Sequence, residues 1–214
     1  MLIIGAKGFA KEVLEIFKQK NELDNLYFYD DVNDDMGSML YGTFPVLKSL
    51  EEAQKLFLEI DARFTIGIGN PILRYKLYKK FEEIGGKFTS VISPFAHIGS
   101  YGNTIEEGSN IMTNAILTND IHVGKGGLIN LSCTIGHDVL IDDFVELCPD
   151  VNISGNCKIG KFTFIGTNST ILPTIEIGSN VIVAAGSVVT KNIPDNCMVA
   201  GIPAVIKKEL PPIE

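Results

Sequence analysis

His97, His122 and His137 are the only imidazoles in the chain. Imidazole titrates near neutrality, so each is a candidate general base. His137 differs from the other two: it sits in NLSCTIGHDVLI, with the carboxylate of Asp138 directly after it. A second group of residues suited to chemistry lies near the beginning. There the apolar run Leu2–Gly5 leads into GAKGFA (5–10), which places Gly5, Lys7, Gly8 and Phe9 between a strand and a helical pattern. Such a turn exposes backbone N–H groups at a helix N-terminus and suits a phosphate, and Lys7 adds positive charge. Leu26–Tyr29 reads as a second strand ending in Asp30-Asp31, a place where an acid suits the hydroxyls and amide of a nucleoside. Packing glycines, a solvated lysine and solvent-facing acids are the plain alternatives for these residues.

The composition narrows the field. In 214 residues, 18 Lys and Arg face 26 Asp and Glu, a formal charge of −8. That balance suits neither nucleic acid nor an anionic membrane. With 45% hydrophobic and 21% charged residues the chain is a folding one. The opening MLIIGAKG lacks a basic region, and its apolar run is too short for a signal peptide or a span, so a cytoplasmic protein is expected. Cys133, Cys148, Cys157 and Cys197 form no CxxC pair, so neither a zinc ribbon nor a disulfide framework is expected.

A repeat decides what positions these residues. From Ile105 to Val189 an aliphatic side chain recurs at every sixth position without a miss, and Ile92 and Ile98 extend the series after a slip of one residue. Four places after each anchor stands a small or β-branched residue, such as Ala115, Cys133, Val139, Cys157 or Ser169. The place after the anchor is often glycine (99, 124, 136, 160, 166, 178), or Asn130 and Asp142, types that tolerate the positive φ a sharp bend requires. Three hexapeptides close one triangular turn, so five to six stacked coils are expected. His137, two residues after Ile135, projects outward at a corner, whereas His97 and His122 each precede an anchor and read as ordinary surface residues.

Ahead of the repeat, strands at Leu2–Gly5, Leu26–Tyr29, Phe64–Gly69 and Phe88–Ile92 alternate with helices, one capped by Ser49 over Leu50–Glu59 and one over Pro71–Ile84. The alternation implies a small parallel sheet of Rossmann type. The chain is thus divided into an α/β domain over 1–92, a coil over 93–193 and a tail over 194–214, with a packed junction at Ser93-Pro94.

The repeat resembles the left-handed parallel β-helix of the hexapeptide acyltransferases. The whole chain, from IIGAKGFAKEVL through YDD and SVISPFA to GSVVTKNIPDNCMVAGIPAVIKK, is similar to a group within them. That group comprises the acetyltransferases acting on nucleotide-linked 4-amino-4,6-dideoxysugars in bacterial glycan synthesis and the sialic-acid O-acetyltransferases. The resemblance implies acetyl-CoA as cosubstrate, a homotrimer, and coenzyme A lying between subunits. It implies that Gly5, Lys7, Gly8, Phe9, Asp30 and Asp31 hold the nucleotide sugar, that His137 is the base, and that Asp138 orients it. Asn130, seven residues before the base, would position base or substrate; a left-handed turn explains it equally well. Gly155 would offer an N–H near the thioester carbonyl, and Thr167, Ala185 and Lys191 would line the coenzyme A path.

The charge distribution agrees: residues 93–157 carry a single basic side chain, Lys125, while Lys158, Lys161, Lys191, Lys207 and Lys208 follow. The sequence departs from the family at Glu146, a sugar-contacting position that often holds histidine, and at Phe9 and Ser93. No metal is implied. Three readings stay open beside N-acetylation: O-acetylation of a sialic acid or other sugar, a non-catalytic scaffold, and a γ-type carbonic anhydrase. The last needs three histidines converging on zinc, two of them close in sequence, and the spacing here does not fit.

Overall fold

A computed structural model describes residues 1–33 and 35–213; Asp34 and Glu214 lie outside it. The amino-terminal elements are β1 (Leu2–Ile4), α1 (Phe9–Gln19), β2 (Tyr27–Tyr29), β3 (Met39–Leu40), β4 (Phe44–Leu47), α2 (Leu50–Glu59), β5 (Arg63–Ile66), α3 (Pro71–Glu83) and β6 (Lys87–Phe88). They form one sheet in the order β3-β4-β2-β1-β5-β6, parallel throughout except for the β3–β4 pair. Ser49 and Glu52 start α2 with a reciprocal capping box, and Asn70 caps α3 ahead of Pro71.

Two expectations need correction here. The third strand stops at Ile66, freeing the chain after it to line a cavity. Phe88–Ile92 is two strands: β6 ends at Phe88 on this sheet, and Val91–Ile92 is already the first strand of the coil. The β3–β4 pair was not anticipated.

From Val91–Ile92 to Val188–Val189 the chain runs as two-residue strands stacked into three parallel sheets. Partners lie 18 residues apart, as in Asn110, Leu128, Glu146, Phe164 and Ile182 on the first face. His97, Ile116, Thr134, Asn152, Thr170 and Val188 point outward on the second face. Thr104, His122, Leu140, Lys158 and Glu176 do so on the third. The slip foreseen upstream appears as 19-residue pairings, Val91 with Asn110 and His97 with Ile116. Every second strand residue from Ile111 onward is buried in one continuous core. The inward hydroxyls are satisfied, Ser109 donating to the Gly124 carbonyl and Thr163 to that of Gly178.

The bends are not where the glycines suggested. Left-handed residues fall three places after the anchors, at Asp120, Ser132, Asp138, Phe144 and Asn156, with φ between 53° and 59°. The glycines after the anchors answer a different need, the close approach of the next coil. A Cβ on Gly160 would lie 2.6 Å from the Gly178 carbonyl carbon, and one on Gly136 2.7 Å from the Gly155 nitrogen.

At the far end Cys197–Gly201 joins the first face and Ala204–Glu209 folds back against it, so much of the tail is a hairpin. The domain junction is packed as expected. Met112 and Leu128 of the coil join the α1 side of the amino-terminal core, and Phe144 and Phe162 join the other side. Among the described residues no helix is long and apolar enough to cross a membrane.

Candidate active site

A cavity of about 250 Å³ opens at the carboxyl ends of β1, β2 and β5. Its walls include Gly5, Lys7, Tyr29, Asp30, Asp31, Gly67, Ile68, Leu73 and Leu77. Gly5 (φ 102°) and Gly8 (φ 43°) both need glycine to make the turn. Gly8 and Phe9 do not line the cavity, and Phe9 packs against the amino-terminal core. Asp30 is buried and tied down, accepting bonds from the Val32 and Asn33 backbone and from the Asn33 amide. Asp31 is the more available acid. Burial would push its carboxyl up, but the Tyr29 hydroxyl (2.8 Å) and Lys80 (3.1 Å) outweigh that and hold it below the ordinary range. Lys7, which lines the cavity, pairs with Asp35 at 2.6 Å.

The histidine–carboxylate pair lies elsewhere. His137 and Asp138 occupy the edge between the second and third faces, both well exposed, with Nδ1 2.7 Å from Asp138 Oδ2. A carboxylate only accepts, so Nδ1 carries the proton in this pair and Nε2 is left as the basic nitrogen. Asp138 takes a left-handed backbone (φ 57°), which swings its carboxylate back to the ring of the residue before it. One coil further on, Gly155 lies against the imidazole: a Cβ there would sit 2.7 Å from both Cε1 and Nε2. Lys191 falls on this same edge. Asn130, Thr167 and Ala185 lie on the next edge, across the second face. Asn130 is buried, its Oδ1 accepting the Leu131 N–H at 2.8 Å. Its φ is not positive; the left-handed residue of that turn is Ser132, so the turn explanation for Asn130 fails.

Glu146 sits on the first face, buried at the junction, with its carboxylate against the Gly69 backbone. Burial raises its pKa, opposed by the charge of Arg74, and Oε2 has no partner among the described residues. Arg74 of α3, to which the sequence analysis assigned no role, is 2% exposed and belongs to the same place. Burial pushes the Cys133 and Cys148 thiols up to about 12, so neither offers a thiolate at neutral pH. His97 heads the second face and His122 lies on the third, 3.6 Å from Glu106; no cluster of three metal-ligating side chains occurs among the described residues.

A two-domain chain of this form, with a histidine–carboxylate pair on a coil edge, defines a class, and comparison with known proteins places it. The family model of the PglD N-terminal domain matches residues 1–81, and that of the bacterial transferase hexapeptide (six repeats) matches residues 156–191. A variant of perosamine N-acetyltransferase from Caulobacter crescentus, in complex with CoA and GDP-perosamine, is similar with TM-score 0.89 and 27% identity, over 97% of this chain and 96% of that one. The acetyltransferase domain of PglB from Neisseria gonorrhoeae FA1090, in complex with acetyl coenzyme A, gives TM-score 0.85 and 30% identity over 96% and 98%. Galactoside O-acetyltransferase of Lactococcus lactis (strain IL1403) is 30% identical over 76% of this chain and 80% of its own length. The match to the Escherichia coli (strain K12) galactoside O-acetyltransferase spans 55% of that protein. The chain belongs to the hexapeptide-repeat acetyltransferases, with a PglD-type domain ahead of a left-handed parallel β-helix.

Proposed function

We propose that the protein transfers the acetyl group of acetyl-CoA to the amine of a nucleotide-linked 4-amino-4,6-dideoxysugar, and that two copies of the chain build each site. One observation carries this reading. The cavity belongs to the domain that covers the first face of the coil, while His137 lies on the edge opposite that face. A sugar held in the cavity therefore meets His137 of a neighbouring copy. The second face offers the contact: its six outward positions carry no carboxylate, lysine or arginine, and Ile116 is 42% exposed there. A trimer about this face brings the His137 edge of one copy beside the Asn130, Thr167 and Ala185 edge of the next. Coenzyme A then lies in the cleft between them.

In the reaction Nε2 of His137 takes a proton from the amine as its nitrogen attacks the thioester carbonyl. Negative charge develops on that carbonyl oxygen, within reach of the Gly155 N–H, which makes no hydrogen bond among the described residues. Collapse of the adduct expels the thiolate of coenzyme A, and the imidazolium returns a proton to it. With every thiol pushed up by burial, transfer is direct and no acyl-cysteine forms. A hydroxyl acceptor, as in the galactoside O-acetyltransferases, would use the same base.

Coenzyme A release is the test, measured with acetyl-CoA and UDP-, dTDP- and GDP-linked amino sugars beside free sialic acid and galactosides. Turnover with an amino sugar nucleotide alone is expected; turnover only with hydroxyl acceptors moves the assignment to O-acetylation. Light scattering should give three times the 23.3 kDa chain mass, and a stable monomer would remove the two-copy site.

A further inference from the structure

Arg74 is a fully buried guanidinium that no catalytic step uses. It leaves the first turns of α3 between Leu73 and Leu77, which both face the nucleotide cavity. Its Nη1 donates to the Gly69 carbonyl at 2.7 Å. Its Nη2 donates to two coil carbonyls, Gly126 at 2.6 Å and Val145 at 2.9 Å. Gly69 follows Gly67 and Ile68, the cavity wall contributed by the segment after β5. One side chain therefore ties the cavity wall to two successive coils. The residue after Val145 is Glu146, which presses its carboxylate on Gly69 from the coil side, so close that any side chain at 69 would collide with Oε1 at 2.6 Å. Burial holds the guanidinium down to about 10, and Glu146 is the charge that opposes the shift. The Arg74 Nε–H and the Glu146 Oε2 are both buried and both without a partner among the described residues. Packing alone would have placed apolar side chains here, since burying charged groups is commonly no more stabilising than burying their apolar replacements.

We infer that Arg74 and Glu146 are positioning residues, which fix the cavity of the amino-terminal domain at one place on the coil and so set how far the bound sugar extends toward His137 of the adjoining copy. The inference rests on the two-copy reading for its effect on rate, but not for its effect on the junction. The angle at which the domain sits is multiplied by the length of the nucleotide sugar, and a displacement of about 1 Å at the reacting atoms costs on the order of 100-fold in rate.

The test uses the double variant Arg74→Met, Glu146→Met, which removes both charges together and leaves none buried alone, with Arg74→Lys as the conservative variant. Three quantities are read in the full chain: melting temperature, amide hydrogen exchange over residues 67–70 and 125–128, and steady-state kinetics. The double variant is expected to melt within a few degrees of the parent while exchange in those two segments rises about tenfold or more. Its kcat should fall about 10- to 100-fold with the KM for acetyl-CoA within twofold, and Arg74→Lys should recover part of that loss. Should the double variant fail to fold, Arg74→Lys is read for the same exchange and kcat changes. Parental exchange and parental kcat in a folded variant overturn the inference. If the parent acetylates no sugar nucleotide, the proposed function fails, and the exchange measurement still decides whether the pair holds the junction.

Discussion

Gly155→Ala tests the catalytic edge with a single methyl group. The glycine has an ordinary negative φ, so alanine is no strain on the backbone, and the N–H proposed to face the thioester is kept. The added Cβ would lie 2.7 Å from both Cε1 and Nε2 of His137. Comfortable separation between such atoms is about 3.5 Å, so the ring must retreat by roughly 0.8 Å. It is 65% exposed in the single chain, but any retreat takes Nδ1 from its place 2.7 Å from Asp138 and carries Nε2 off the proposed line of attack. A displacement of that size costs about 10- to 100-fold in kcat, or about 1.4–2.7 kcal/mol of transition-state stabilisation. The assay is coenzyme A release under saturating acceptor, with coenzyme A affinity by calorimetry and melting temperature as controls. Both controls should stay near the parent. If Gly155→Ala keeps more than half the parental kcat, the ring does not work where it stands and the base assignment falls.

Other substitutions separate the remaining roles. His137→Ala should lower kcat about 10²- to 10⁴-fold with coenzyme A binding unchanged; a variant that keeps most of the parental kcat refutes the base. Asp138→Asn, which keeps a side chain tolerant of φ 57°, should cost less than His137→Ala, and an equal loss would show the carboxylate doing more than orienting. Asp31→Ala should raise the KM for the sugar nucleotide about 5- to 150-fold and leave that for acetyl-CoA alone, whereas equal effects on both would place the acid outside the nucleotide site. Asp61, bonded by Arg63 and the N-terminal ammonium, is held well below the usual carboxylate range in the folded chain. Its contribution is therefore present above the unfolded value of about 4 and is lost as pH falls below it. The melting deficit of Asp61→Asn should be full at pH 7 and shrink steadily below about pH 4; a constant deficit refutes the coupling.

The coil was legible because its period is enforced at every sixth residue by a single buried ladder, Ile111 to Val189, which no loop interrupts. The glycines misled because two constraints share one composition. A glycine signals either a left-handed turn or a neighbour too close for a Cβ, and here Gly136 and Gly160 meet the second need while Asp138 and Asn156 meet the first. The β3–β4 pair escaped notice since Met39–Leu40 and Phe44–Leu47 are brief and Pro45 interrupts any strand pattern. His137 stood out through its neighbour Asp138, a local signal. Arg74 could not, because its three acceptors are backbone carbonyls at 69, 126 and 145, and backbone leaves no mark in a sequence.

Because its rungs are interchangeable, the coil also acts as a ruler. Each 18-residue turn adds one rung of about 4.8 Å and returns every side chain to the same face. The amino-terminal domain is clamped along the first face at Asn110, Gly126 and Val145, so the rung that carries His137 is measured from that clamp. Duplicating one turn below Val189 would lengthen the molecule and leave this measure untouched. Duplicating one between Gly126 and Val145 would instead pull apart the two carbonyls that Arg74 holds together, because His137 lies between them in the chain. In a fold that could gain or lose turns elsewhere, the rung of His137 is thus the one whose place is held from both sides by the amino-terminal domain.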